Sequence, residues 1–254
     1  MPAPSRSASP PSVLSKVDRI LAAFDDDHQI IGLSDLARIA DLAKPTVHRL
    51  ASELVALGLL DRIDERFSLG RRLFELGQRV PGYRDITRLA IPFVEDLYVA
   101  TGATVFLSVR DGNEILYVIK IRGHTGENEV SSLAGRLPLH CTATGRAILA
   151  AEPDATLEEC IAAGLPRMTR HTVTSPSLLR QLVDEARLAG AASEREEVRL
   201  GYGAAAAAVL GSDGRPVAAI GIAMPIHKGE PSSYHSLVRT SARAIGRMLD
   251  STST

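Results

Sequence analysis

Residues 33–58 read LSDLARIADLAKPTVHRLASELVALG, and their punctuation implies two short helices meeting at a tight turn. Ser34 stands where it can cap the first helix by accepting a hydrogen bond from a free backbone N–H. That helix spans Asp35 to Ala40 and buries Leu36, Ala37 and Ala40. Asp41-Leu42-Ala43 breaks the pattern, and Asp41 falls where the turn needs a positive φ, which Asp tolerates better than most residues. The second helix starts near Lys44-Pro45, because proline suits a first helical turn, where its missing N–H is not needed. Val47, Leu50, Leu54 and Leu57 form its apolar stripe, and Gly58 ends it. Ala37 is small where the two helices must cross closely. The outer positions at the start of the second helix are Lys44, Thr46, His48 and Arg49. These residue types reach base edges and phosphates from a helix in the major groove. Helix pairs of this kind occur in proteins of every function, so the polar face and the flanking sequence must carry the reading.

Working outward, Val13, Leu14, Val17, Ile20, Leu21 and Phe24 recur at helical spacing, and Asp25-Asp26-Asp27 ends that helix. On the other side, Leu59–Ile63 and Arg66–Leu69 flank Asp64-Glu65 as a hairpin. Arg62, Arg66, Arg71 and Arg72 gather on this hairpin and just beyond it, a basic wing suited to clamping phosphates beside the helix. A further helix over about Gly70 to Arg79 leads through Pro81-Gly82 to a domain boundary near residues 80–86. The expected organisation is a disordered leader over 1–12, a winged helix-turn-helix DNA-binding domain over 13–70, a linker helix over 71–85 and a second domain over 86–252. In that second domain Ile86–Ala100, Thr142–Ala151, Leu178–Leu188 and Tyr234–Leu249 read as helices. Thr104–Val109 with Glu114–Ile121, and Ala204–Leu210 with Val217–Met224, read as hairpins. The class is α+β, with helices packed on a mainly antiparallel sheet.

Bulk properties set limits on function. The chain has 254 residues and a formal net charge of −1, so it has no bulk attraction to nucleic acid or anionic membrane. Residues 13–85 carry eleven Lys/Arg against twelve Asp/Glu. DNA binding must therefore rest on locally placed cations. Cys141 and Cys160 are isolated and suggest a reducing compartment. The first residues lack an apolar signal core. The apolar runs Ala204–Leu210 and Val217–Ile226 fall short of the roughly 18 residues a membrane-spanning helix needs. The expected location is the cytoplasm, without membrane contact.

Enzyme signatures are missing. There is no Gly-x-Ser-x-Gly elbow, phosphate loop or dinucleotide fingerprint, and no His-x-x-x-His or Cys-x-x-Cys metal spacing. No catalytic residue, metal or cofactor is expected. A Cys/His hydrolase built on the adjacent His140 and Cys141 is one alternative, and a sensor module that does not bind DNA is another. The Glu196-Glu197 pair reads as a surface or loop feature.

Several dispersed stretches carry a family resemblance. They are Leu36–Ala40, Lys44–Leu50, Leu57–Leu60 and Phe67–Gly70, then Thr101–Val105, Leu137–Ala147 and Glu196–Gly201. In order and spacing, from about Leu14 to Leu249, the chain closely resembles the IclR family of bacterial transcriptional regulators. Two positions depart from the family pattern: Asp41 stands where Gly is usual, and Pro45 where Ser is usual. The resemblance implies a GAF/PAS-like effector domain behind the winged helix-turn-helix. It implies DNA contacts at Lys44, Pro45, Thr46, His48, Arg49, Arg62 and Arg66, with Thr46, His48 and Arg49 the stronger candidates because Pro45 has lost a hydroxyl. It also implies effector contacts at Ala143, Thr144, Glu194, Ala204, Gly221 and Ala223. Several of these positions are polar in relatives that bind very small acids, so their smallness here implies a roomier, less polar pocket for an aromatic or branched acid. The partners expected are a palindromic double-stranded operator, a small-molecule effector and further copies of the chain, as a homodimer or homotetramer. The function expected is transcriptional regulation, with repression as the sign.

Overall fold

The computed structural model describes residues 12–25, 28–80, 83–122 and 135–252. The leader over 1–11 and the acidic residues Asp26 and Asp27 lie outside them, as do Pro81 and Gly82; Ser12 is described and caps the first helix, accepting from Ser15 N at 3.1 Å. The chain divides into two units, Met1–Pro81 and Gly82–Thr254.

The first unit comprises α1 (Val13–Leu21), β1 (Ile31–Gly32), α2 (Leu33–Ile39), α3 (Lys44–Ala56), β2 (Leu60–Ile63), β3 (Arg66–Leu69) and α4 (Arg71–Gly77). Its small antiparallel sheet has the order β1-β3-β2. Ile20, Leu36, Val47, Leu50, Leu54, Leu60 and Phe67 form one core. Asp41 has φ of 50°, and its carboxylate and carbonyl both take the Arg19 guanidinium, at 2.7 and 2.9 Å. Two expectations are corrected. Gly32 pairs with Arg66 in the sheet and leads directly into α2 as its N-cap. Ser34 therefore sits inside the first turn and caps nothing. Leu57 is 55% exposed, because α3 ends at Ala56 and the chain turns away; Ala51 fills the stripe in its place.

The second unit contains α5 (Tyr83–Thr101), β4 (Thr104–Asp111), β5 (Glu114–Ile121), β6 (Arg136–Pro138), a 3-10 turn at Leu139–Cys141, α6 (Ala143–Ala151), α7 (Asp154–Ala163), α8 (Pro176–Ala189), β7 (Ala192–Arg195), β8 (Tyr202–Leu210), β9 (Pro216–Pro225) and α9 (His235–Thr252). The sheet order is β6-β5-β4-β9-β8-β7, and every neighbouring pair is antiparallel. Side chains alternate between faces with the period of two that a strand imposes. Val105, Leu107, Ala205, Ala207, Ile220 and Ile222 pack with Val94, Leu97, Val238 and Ile245 of α5 and α9. Phe106, Ala204, Ala206 and Ala219 pack with Ile148, Leu149, Leu157, Leu179 and Val183 of α6, α7 and α8. The alanine run of β8 keeps both faces shallow enough for helices to approach. Gly246 of α9 shows how close that approach is, since a Cβ there would lie 2.8 Å from the Leu210 carbonyl oxygen. Helix α7 and strands β6 and β7 were not foreseen from the sequence.

Candidate functional site

Helix α3 buries Val47, Leu50, Ala51 and Leu54, which turns Lys44, Pro45, His48 and Arg49 to the solvent, with Thr46 half-buried at the margin. Among the described residues, the side chains of Lys44 and His48 have no hydrogen-bond or ion-pair partner. Arg49 donates to Glu53 Oε1 at 2.7 Å, an i,i+4 pair on an open helix face. On the wing Arg62 folds back over its own turn, with both Glu65 oxygens at 3.0 Å and the Asp64 carbonyl at 2.9 Å. Arg66, Arg71 and Arg72 are exposed and unpaired among the described residues. Exposed pairs such as Arg49–Glu53 and Arg62–Glu65 are worth about 0–1 kcal/mol, so either guanidinium can be exchanged onto a phosphate or base edge at small cost. The root of the wing is rigid. Gly58 has φ of 72°, and a Cβ on Gly70 would lie 2.2 Å from the Gly58 carbonyl oxygen.

In the second unit, the start of α6 and strands β4, β5, β8 and β9 enclose a cavity of about 80 Å³. Ala143, Thr144, Glu194, Ala204 and Ala223 line it. Gly221 does not. A Cβ there would lie 2.7 Å from a Phe106 ring carbon and 3.0 Å from Ala206 Cβ, so the space left by the missing side chain holds the Phe106 ring. Phe106 in turn meets Tyr117 edge-on, centroids 5.1 Å apart at 69°, and both rings form cavity walls with Tyr202. The room expected from the small residues is thus partly filled by aromatic surface. Sequence reasoning missed these walls, although the period of two in the first hairpin puts Thr104 and Phe106 on one face.

Polar side chains share the lining with the apolar ones. Thr142 caps α6 by accepting from Gly145 N at 3.1 Å. The first N–H groups of a helix have no intrahelical acceptor and carry its positive dipole end. The Thr144 hydroxyl is fully buried and has no hydrogen-bond partner. Glu194 is buried, and desolvation pushes its carboxyl up to about 8 against the opposing hydrogen bond from Glu197 N at 2.9 Å. It is neutral at pH 7. Thr104, Lys120 and Arg199 also line it, the last lying 4.2 Å over the Tyr202 ring. With Glu194 protonated, the charged groups among the described lining residues are Lys120 and Arg199.

Glu197 lies in the loop after β7, as expected, but is not at the surface. It is 5% exposed and makes two 2.6 Å bonds to Arg146, itself 1% exposed. Arg146 also donates to the His140 and Ser193 carbonyls, and Glu197 accepts from Val173 N. This network ties the loop after β7, which carries Val198 and Arg199, to α6 and to the segment before α8. Glu196, at φ of 57°, accepts from Gly201 N at 2.8 Å and shapes the same loop. Cys141 is buried and its thiol is pushed up to about 12 by burial, while the His140 ring bonds the Pro166 carbonyl. They form no nucleophile–base pair. Among the described residues no cluster of three or more His, Cys, Asp or Glu could hold a metal, and no helix is long and apolar enough to cross a membrane.

Two family models match this chain: the IclR helix-turn-helix domain over residues 13–64, and the bacterial transcriptional regulator IclR C-terminal domain over residues 78–247. It is 28% identical to the HTH-type transcriptional regulator XynR of Escherichia coli K12, over 93% of this chain and 98% of that protein. It is 30% identical to the HTH-type transcriptional repressor AllR of Klebsiella pneumoniae, over 85% and 82% respectively. Among solved structures, an IclR homologue from Microbacterium hydrocarbonoxydans complexed with 4-hydroxybenzoate superposes with a TM-score of 0.84 at 30% identity, over 94% of this chain and 99% of that one. The Thermotoga maritima IclR superposes with a TM-score of 0.76 at 27% identity, over 93% and 98%.

Proposed function

The chain belongs to the IclR family of bacterial transcriptional regulators, and from that premise we propose how its residues divide the work of a DNA-binding regulator answering to a small molecule. Helix α3 enters the major groove, with Lys44, Pro45, Thr46, His48 and Arg49 at the duplex; Arg62 and Arg66 of the wing hold phosphates. The domains run over 13–70 for DNA binding, 71–85 for the linker and 86–252 for the effector. Two copies read a palindromic operator, because a single winged helix supplies little register alone. Helix α4 is the pairing element: Phe74 is 70% exposed and Leu76 is 45% exposed, an apolar face that a second copy would cover. The protein acts in the cytoplasm as a repressor, without catalysis.

The effector is an aromatic monocarboxylate held by Ala143, Thr144, Glu194, Ala204 and Ala223. One observation carries this reading. Thr144, whose buried hydroxyl has no partner, lies at the start of α6 and lines a cavity walled by Phe106, Tyr117 and Tyr202. An unmet buried polar group calls for a polar ligand atom, and the ring walls call for a flat apolar body. The 4-hydroxybenzoate complex of the similar Microbacterium hydrocarbonoxydans protein supports the same class. Footprinting on the flanking DNA of its own gene, with and without benzoate, 4-hydroxybenzoate and glyoxylate, tests it. Protection that responds to the aromatic acids is expected; a response to glyoxylate alone would overturn the effector class.

A further inference from the structure

Strand β7 covers only part of its neighbour. It pairs with Gly203–Ala206 of β8, whereas β8 continues to Leu210. Residues 207–210 of β8 are therefore a sheet edge beyond the end of β7. The side on which each backbone group lies follows from the ladder. Glu196 N donates to Tyr202 O at 2.7 Å, and alternate residues of an antiparallel strand face the same neighbour. The N–H and C=O of Ala208 consequently point past the end of β7, where the chain has already turned away at Gly190, φ 67°.

This edge opens into a groove of about 550 Å³, flanked by the small residues Ala150 and Ala151 of α6 on one side and by α9 on the other. Edges of this kind are ordinarily blunted by proline, by bulges or by charges turned inward. Here the β8–β9 register shifts at Val209/Leu210, so a bulge closes the edge just past Ala208; the α6 flank is alanine, and the charged lining among the described residues is Arg187, Arg239, Arg243, Arg247 and Asp250. Arg187 and Arg239 are spoken for, the first by Asp154, Asp184 and the Ala150 carbonyl, the second by the Ala189 carbonyl. Arg243 and Arg247, one helical turn apart on the groove wall, have no hydrogen-bond or ion-pair partner among the described residues. Asp250 is the one acidic residue of the lining.

We propose that this groove docks an extended acidic segment of a partner protein, which adds a short strand to β8 at Ala208 and sets two carboxylates against Arg243 and Arg247. The spacing agrees with that occupant. Positions four apart on a helix are about 5–6 Å apart, and alternate residues on one face of a strand about 6.6 Å. The segment therefore carries an acid-x-acid pattern toward α9 and small residues toward the alanines of α6. A second copy presenting the same cationic groove would be repelled. Small anions would satisfy the arginines but leave the Ala208 backbone unmet.

Fluorescence anisotropy with a labelled, end-blocked Ala-Glu-Ala-Glu-Ala-Glu-Ala peptide and the full-length protein tests this. Three controls accompany it: the Gln-for-Glu peptide, an N-methylated peptide and free glutarate. Saturable binding is expected, weakened at least tenfold by R243E/R247E and by either peptide change, with circular dichroism unaltered. Three results would each overturn the proposal: absent binding, binding indifferent to the arginine changes, or equal competition by glutarate. So would a change of oligomeric state in R243E/R247E without peptide binding, since it would assign the groove to another copy of the chain.

Discussion

Burial makes the charged form of Glu194 expensive and pushes its carboxyl up to about 8, so at neutral pH it adds no negative charge to the cavity. The folded value lies above the ordinary carboxyl range. The stabilising contribution is therefore full at acid pH and is lost as pH rises through about 8. An anionic effector shares the same dependence: it enters beside a neutral carboxyl and is repelled by a carboxylate. The affinity of an aromatic monocarboxylate is expected to hold steady below that value and to fall by at most about tenfold per pH unit above it. In E194Q, which cannot ionise, the fall disappears. Titration calorimetry between about pH 6.5 and pH 9 reads both curves, taking values on either side of the folded one. A wild-type affinity that rises with pH would mean that Glu194 faces no anion.

At the scale of elements, the wing depends on a close backbone crossing. The Gly70 position has no room for a side chain, because the nearest atom is the Gly58 carbonyl oxygen and not a side-chain end that could swing aside. G70A is expected to lower stability by about 1–3 kcal/mol, the range for forced overpacking, and to weaken operator binding by displacing Arg66. G77A, with nothing within 4 Å, is expected to be neutral or slightly stabilising. Paired thermal melts and mobility shifts separate the two; equal behaviour would deny the crossing its role. Elements whose signals are local were legible in the sequence. Pro45 and the Val47–Leu54 stripe announced α3, and Asp41 announced its turn. β1 and β6, two and three residues long, carry no period to detect. Glu197 read as a surface or loop feature because its partner Arg146 lies 51 residues away, and only the folded sheet joins them. Five of the six positions expected to contact an effector line one cavity. Gly221 does not, because what replaces its side chain is a ring from a neighbouring strand.

For the whole molecule, charge and linkage are the measures that matter. With a net charge of −1, affinity for DNA must come from a few placed cations. Each phosphate neutralised contributes about 0.9 to the slope of log affinity against log salt. R66A in a dimer should therefore flatten that slope by about 1.8, twice this single contribution. R62A should flatten it less, since Arg62 must first leave Glu65. An unchanged slope in R66A would remove the wing from the interface. Effector and operator are then two ligands of one equilibrium. If the acid weakens operator binding by some factor, saturating operator must weaken the acid by the same factor, because both paths around the cycle join the same states. Couplings of this kind are about 1–3 kcal/mol, or roughly 5- to 150-fold. Calorimetric titration of 4-hydroxybenzoate into protein alone, and into protein saturated with operator duplex, should show that loss in the second case. Identical affinities in the two titrations would leave the α6 cavity as a binding site with no hold on DNA.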